Sequence, residues 1–145
     1  KVSIDGGTPV QVTDHVVTMG VVSPDGKLIA YSYPESADPS APPNRLAVMS
    51  FEGGPVLKTF NVSVTTGTVL SILQWSHDGQ SVLYTVTTNN VTNVWSQPLD
   101  GGPPKQVTDF KDMLITGFSW SRDGKQLAAT RGNLLRDAVL IQDTK

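Results

Sequence analysis

Apolar residues along this chain come in short runs, and several are apolar on successive positions: Leu28-Ile29-Ala30-Tyr31, Val82-Leu83-Tyr84 and Ala138-Val139-Leu140-Ile141. Runs of this length predict strands, and continuous instead of alternating apolar character requires both faces of each strand to be covered. Around the middle of the chain four such runs follow one another, at 72–76, 81–87, 93–99 and 105–110, rich in β-branched and aromatic residues and bounded by Gly, Asp, Asn and Pro. No stretch carries a sustained i, i+3, i+4 stripe with helix caps, so no helix is expected.

The pattern repeats. Ser23-Pro24-Asp25-Gly26, Ser76-His77-Asp78-Gly79 and Ser121-Arg122-Asp123-Gly124 share the form Ser-x-Asp-Gly at steps of 53 and 45 residues. A second landmark stays in phase with it: Asp5-Gly6-Gly7, Glu52-Gly53-Gly54 and Asp100-Gly101-Gly102, at steps of 47 and 48. A third, Val12-Thr13-Asp14 against Val107-Thr108-Asp109, closes the same segment in the first and last copies. A unit of this length built as strand, tight turn, strand, loop, strand, Gly-Gly turn, strand predicts propeller blades and not helical repeats. The Asp-Gly pairs suit the turns because glycine takes positive φ without a Cβ clash and aspartate accepts from nearby backbone N–H groups.

The fold expected is all-β, with about three four-stranded antiparallel blades. Residues 1–13 read as the last strands of one blade, 16–61 and 62–110 as full blades, and 111–145 as a final blade lacking its outer strand. Rings need about four to eight blades, and an open arc would leave apolar sheet faces bare. The expectation that follows is a homodimer, two copies pairing head to tail into a six-bladed ring, with the strand at 9–13 completing the other copy's last blade.

Charge adds little. With 11 basic and 13 acidic residues, a formal net charge of −2 and no run of either sign, a nucleic-acid or anionic-membrane surface is not expected. No apolar stretch approaches the roughly 20 residues of a spanning helix, so no direct membrane contact is predicted. The chain starts at Lys1 and reads as a piece of a longer protein. It has no cysteine, which removes disulfides and thiolate chemistry together.

Candidate chemistry is sparse, and the sequence predicts no catalytic, cofactor or metal residue. His15 and His77 lie outside any metal-ligand spacing and read as loop and turn residues. No Gly-x-Ser-x-Gly elbow occurs. Asp25, Gly26, Asp78, Gly79, Asp123 and Gly124 are assigned to structural turns, since a residue recurring at one place in every repeat is explained by turn formation before catalysis. Trp75 and Trp120 read as inter-blade core, with an aromatic ligand platform as the alternative for them and for Trp95. Asn61-Val62-Ser63 and Asn90-Val91-Thr92 match glycosylation acceptors, which such short triplets do by chance. The least repeat-like stretch, 34–44, reads as a solvated hairpin loop and as the candidate partner contact, through Glu35, Asp38, Asn44 and the adjoining Arg45.

The residues Val22-Ser23-Pro24-Asp25-Gly26-Lys27-Leu28-Ile29-Ala30-Tyr31, Trp75-Ser76-His77-Asp78-Gly79-Gln80-Ser81-Val82-Leu83-Tyr84 and Trp120-Ser121-Arg122-Asp123-Gly124-Lys125-Gln126-Leu127-Ala128 resemble the TolB-type, WD-like β-propeller repeat. Val22 in place of tryptophan and the insertion at 34–44 depart from that pattern. The last repeat, from Phe118-Ser119-Trp120 through Arg131-Gly132-Asn133 to Asp137-Ala138-Val139-Leu140-Ile141, further resembles the final blade of C-terminal propellers in bacterial membrane-bound serine/threonine kinases. What the resemblance implies is a non-catalytic interaction or sensor module with a protein or peptide partner, the C-terminal part of a larger bacterial protein such as a receptor-like kinase, in an extracytoplasmic setting. The alternative is a propeller segment gating a prolyl-oligopeptidase-like peptidase. Any kinase or hydrolase domain would lie outside this segment.

Overall fold

A computed structural model describes residues 1–17, 19–34, 44–64 and 72–133. Within them every regular element is a strand. The first sheet is an antiparallel meander of β1 (Met19–Val22), β2 (Leu28–Tyr33), β3 (Asn44–Ser50) and β4 (Val56–Val64), in that spatial order. The second repeats it with β5 (Leu73–Trp75), β6 (Ser81–Thr88), β7 (Val91–Pro98) and β8 (Lys105–Gln106). The third pairs β9 (Leu114–Trp120) with β10 (Leu127–Gly132). The expected all-β, blade-like architecture is thus present; the run 138–141 lies outside the described residues.

The doubly apolar runs are sorted by the pleat. Successive side chains on a strand point to opposite faces, so in β6 Val82 and Tyr84 join the core shared with Ala30, Leu46, Val48 and Phe60 of the first sheet. Leu83 points the other way, into the core shared with Ile115 and Phe118 of the third. Both cores are dry: Val82, Leu83 and Tyr84 are all at most 2% exposed. Burial of a side chain of this size contributes about 1.5–3 kcal/mol, and the second sheet collects it on both sides. In β2 the split is the same, Ala30 facing the second sheet and Tyr31 facing Val12 on the other side.

Two strand expectations change in the structure. Residues 1–13 form no regular strand; Lys1 and Val10 exchange their backbone N–H···O bonds around the Gly6-Gly7 turn, and this hairpin lies against the first sheet. Lys1 Nζ pairs with Glu52 and stands over the Phe51 ring, and Val12 packs on the Tyr31, Ala47 and Met49 cluster. The run at 105–110 is a strand only at Lys105–Gln106. There the Val94 carbonyl takes both the Val107 and Thr108 N–H groups, at 2.8 and 3.4 Å. Asn93 then substitutes for a backbone partner: its Oδ1 accepts from Phe110 N at 2.7 Å and Thr108 Oγ1 at 2.9 Å, and its Nδ2 donates to Phe110 O. One side-chain amide thus satisfies a segment that a ladder would otherwise have to pair.

Candidate functional site

In each meander the β1–β2-type and β3–β4-type connections fall at one end of the strands and the β2–β3-type connection at the other. The Ser-x-Asp-Gly turns all belong to the first end. Each is built alike: Ser23, Ser76 and Ser121 donate their hydroxyls to Asp25, Asp78 and Asp123 Oδ1 at 2.6 Å. The same oxygen accepts the N–H of Lys27, Gln80 or Lys125 two residues on, and the serine Oγ accepts the N–H of Leu28, Ser81 or Gln126. Gly26, Gly79 and Gly124 sit at φ of 73, 68 and 69°, the left-handed region that a β-carbon penalises. The serine hydroxyl holds each aspartate below the usual carboxylate range, the backbone N–H adding to it. Each carboxylate serves its own turn as an acceptor through Oδ1.

The turns touch one another across the sheets. A β-carbon placed on Gly79 would lie 3.7 Å from Pro24 Cδ, and one on Gly124 only 2.7 Å from His77 Cβ. The x residue of one turn therefore rests on the glycine of the next. His77, between its own turn and the third, also lowers Asp78 and Asp123 by its nearby charge, as the last of the causes acting on each.

The other end carries the more varied chemistry. Tyr33 closes β2, and its cross-strand partner Arg45 is the second residue of β3. Arg45 donates to Asn61 Oδ1 on β4. His15, arriving from the N-terminal segment, stacks on the Tyr33 ring with centroids 4.3 Å apart and planes 6° from parallel, and its Nδ1 lies 2.9 Å from the Tyr31 hydroxyl. Burial raises the Tyr31 hydroxyl above its ordinary pKa. Beside this cluster an open cleft of about 670 Å³ runs between Gln11–His15 and Gly54–Val56. Arg45 is thus placed at a rim with two tyrosines and a histidine. Asn44 opens β3, and Glu35 and Asp38 lie outside the described residues. The aromatic cluster was missed by sequence reasoning: His15 is 16 residues from Tyr31, and no local spacing signals that they meet.

The tryptophans occupy inter-sheet positions. Trp75 is 7% exposed and donates its indole N–H to Val21 O at 3.1 Å, across to the first sheet. Trp120, one repeat later, packs on the core shared with the second sheet. Trp95 packs against the core between the first two sheets. Among the described residues no group of three or more His, Asp or Glu side chains is placed to hold a metal ion.

No family model matches the chain, and no curated protein matches it in sequence. Solved structures match its shape. A protein assigned as TolB from Agrobacterium tumefaciens superposes with a TM-score of 0.61 at 22% identity, over 86% of this chain and 43% of that one. The fold is that of a TolB-type β-propeller. TolB from Acinetobacter baumannii gives a TM-score of 0.57 at 20% identity, over 84% of this chain and 27% of its own length. The chain spans less than half of either TolB, so the stacked sheets described here correspond to an arc of propeller blades.

Proposed function

We propose that this chain is a propeller interaction module that engages a protein or peptide partner at the rim where β2 meets β3. The observation that carries this reading is the cluster of His15, Tyr33 and Arg45. Stacked rings and an arginine, the residue types enriched at protein interfaces, are set at the end of a strand pair whose inner residues are buried on both faces, so the groups are presented on a rigid base. The segment 34–44 joins these two strands in the sequence. The TolB proteins that share the fold support a propeller scaffold. The similarity of the last repeat to kinase-borne propellers supports placing the module at the C-terminal side of a larger, extracytoplasmic bacterial receptor, with no catalysis of its own.

The test uses the immobilised chain and a protein it retains from a bacterial envelope extract. Arg45→Ala and deletion of 35–43 are each expected to weaken that retention by about tenfold or more, the loss of one interface anchor. Lys125→Ala, at the opposite end of the strands, leaves it unchanged. Full retention by both rim variants sinks the assignment. Hydrolysis of a peptide panel by the purified chain would replace it with an enzymatic one.

A further inference from the structure

A cleft of about 340 Å³ lies beside the β6–β7 hairpin. It belongs to the second sheet, whose two faces are packed by the first and third sheets. Trp95 of β7 lines it. The ring packs against the core shared with the first sheet, yet the residue is only partly buried, and its indole N–H reaches the surface with no acceptor among the described residues. The other two indoles differ: Trp75 spends its N–H on Val21 O, and the Trp120 N–H is buried.

The rest of the polar lining is neutral and held on a fixed frame. Asn89 and Asn90 turn the hairpin at φ of 50 and 61°, the two left-handed residues that a tight turn between twisted strands requires. The exposed Asn89 amide is thus carried on a rigid tip. Gln106 of β8, also exposed, donates through Nε2 to Thr108 O, which leaves its Oε1 open. Asn93 binds Phe110 through both of its amide atoms and so anchors the segment that borders the cleft. Lys111 is the one charged residue of the lining, and it is paired with Asp109 at 2.6 Å.

We infer that this cleft binds a neutral saccharide of one or two rings, seated against Trp95. The volume falls within the range of about 300–1,000 Å³ of small-molecule sites, which combine an apolar surface with a few placed polar groups. An indole offers a flat apolar body to the C–H face of a sugar ring and an N–H to one of its hydroxyls. Carboxamides donate and accept, as sugar hydroxyls do. A charged peptide fits worse, because with Lys111 already paired its charge would be desolvated without a partner. The site is separate from the rim proposed above: Leu46 of β3 faces the second sheet, so the alternation of the strand puts Arg45 on the opposite face.

The experiment titrates the isotope-labelled chain with cellobiose and with chitobiose, two uncharged disaccharides, and follows the indole N–H resonances by NMR. The chain has three tryptophans, and Trp95→Phe assigns the signal that belongs to Trp95. The expected result is a saturable movement of that signal with at least one sugar, while those of Trp75 and Trp120 stay in place. Trp95→Phe keeps a ring without the N–H and is expected to raise the dissociation constant, measured by calorimetry, by about three- to tenfold, the loss of one hydrogen bond. Asn89→Gly preserves the positive φ of the turn, so the hairpin is kept, and is expected to weaken binding by a similar factor. Arg45→Ala binds the sugar as the wild type does, which separates this site from the rim. The inference is overturned if neither sugar moves the Trp95 signal, or if binding survives unchanged in both Trp95→Phe and Asn89→Gly. Movement with tetralysine or tetraglutamate but with neither sugar makes the cleft a peptide site and overturns it equally.

Discussion

Trp75 and Trp120 stand at the same place in successive repeats, one residue before Ser-x-Asp-Gly, yet they fasten their sheets differently. Trp75 gives its indole N–H to Val21 O of the first sheet, whereas the Trp120 N–H is buried with no acceptor among the described residues. At the junction between first and second sheets Pro24 meets Gly79 at ordinary contact distance; between second and third, His77 presses on Gly124. The second junction compensates for its unsatisfied indole with other bonds, Gln74 Nε2 to Phe118 O at 2.5 Å and Thr92 N to Met113 O at 3.1 Å. A sequence repeat therefore specifies the turn and the strand order, while each junction is locked by residues the repeat leaves variable.

The largest effect that would break this comparison is at the two indoles. Trp75→Ala removes a nearly buried ring from the core shared by the first two sheets and is expected to cost about 3–5 kcal/mol. Trp120→Ala costs less, because that residue is only partly buried. The phenylalanine pair sharpens the point. Trp75→Phe loses volume and the indole hydrogen bond to Val21 O, for a loss of about 1–3 kcal/mol, whereas Trp120→Phe removes an N–H with no acceptor among the described residues, and is expected to recover much of its packing loss. Urea unfolding followed by far-UV circular dichroism measures all four. Equal losses for the two phenylalanine variants would show that the junctions are alike.

Next in size are the turn glycines. Gly79→Ala and Gly124→Ala incur the same backbone penalty, since φ is 68° and 69°. Only at Gly124 does the new methyl come closer than van der Waals contact, 2.7 Å from His77 Cβ against 3.7 Å from Pro24 Cδ at Gly79, adding about 1–3 kcal/mol of overpacking. The comparison is closed by His77→Gly, which removes the Cβ at 2.7 Å together with the ring and is expected to relieve most of the excess when combined with Gly124→Ala, so that the double-mutant cycle gives a favourable coupling. If the two glycine variants unfold at one urea concentration, the His77 contact carries no weight.

These junctions mark the boundary of what was legible in the sequence. The Ser-x-Asp-Gly turns are local: serine, aspartate and glycine within four residues make all their own bonds, so spacing alone exposes them. The doubly apolar runs announce that Leu83 and Val82 face two different neighbours. The chemistry of the rim is not local. His15 reaches Tyr31 and Tyr33 only because the N-terminal hairpin folds over the first sheet, and that placement depends on Lys1, Val12 and Glu52 together. The shortened β8 was hidden for a similar reason, since the residues at 105–110 have strand composition and only the Asn93 side chain, 17 residues from Phe110, ends the ladder. Glu35 and Asp38 stand out in the sequence because their stretch breaks the repeat, whereas the meeting of His15 with Tyr33 is visible only in the structure.

The smallest expected effect separates the turns by acid. Asp78 is held below its ordinary value of 3.8 first by the Ser76 hydroxyl, then by the Gln80 N–H, and last by the charge of His77. A carboxylate whose folded value is depressed stabilises the native state fully above its unfolded value and loses that contribution as pH falls through the folded one. Asp78→Asn should therefore lower the urea midpoint at neutral pH, and the gap to the wild type should narrow as pH drops below about 4, where the native carboxylate also becomes protonated. Asp25→Asn should narrow over the same window, because its first two causes, Ser23 and the Lys27 N–H, are of the same kind. The turns differ only in the third partner, so His77→Gln is expected to move the acid transition at Asp78 slightly and that at Asp25 not at all. Because the carboxylate is exposed, the effect of His77 is screened, and adding salt should erase the His77→Gln difference while leaving the Asp78→Asn gap, which rests on hydrogen bonds. A gap that salt removes entirely would assign the turn to charge instead of to the serine hydroxyl.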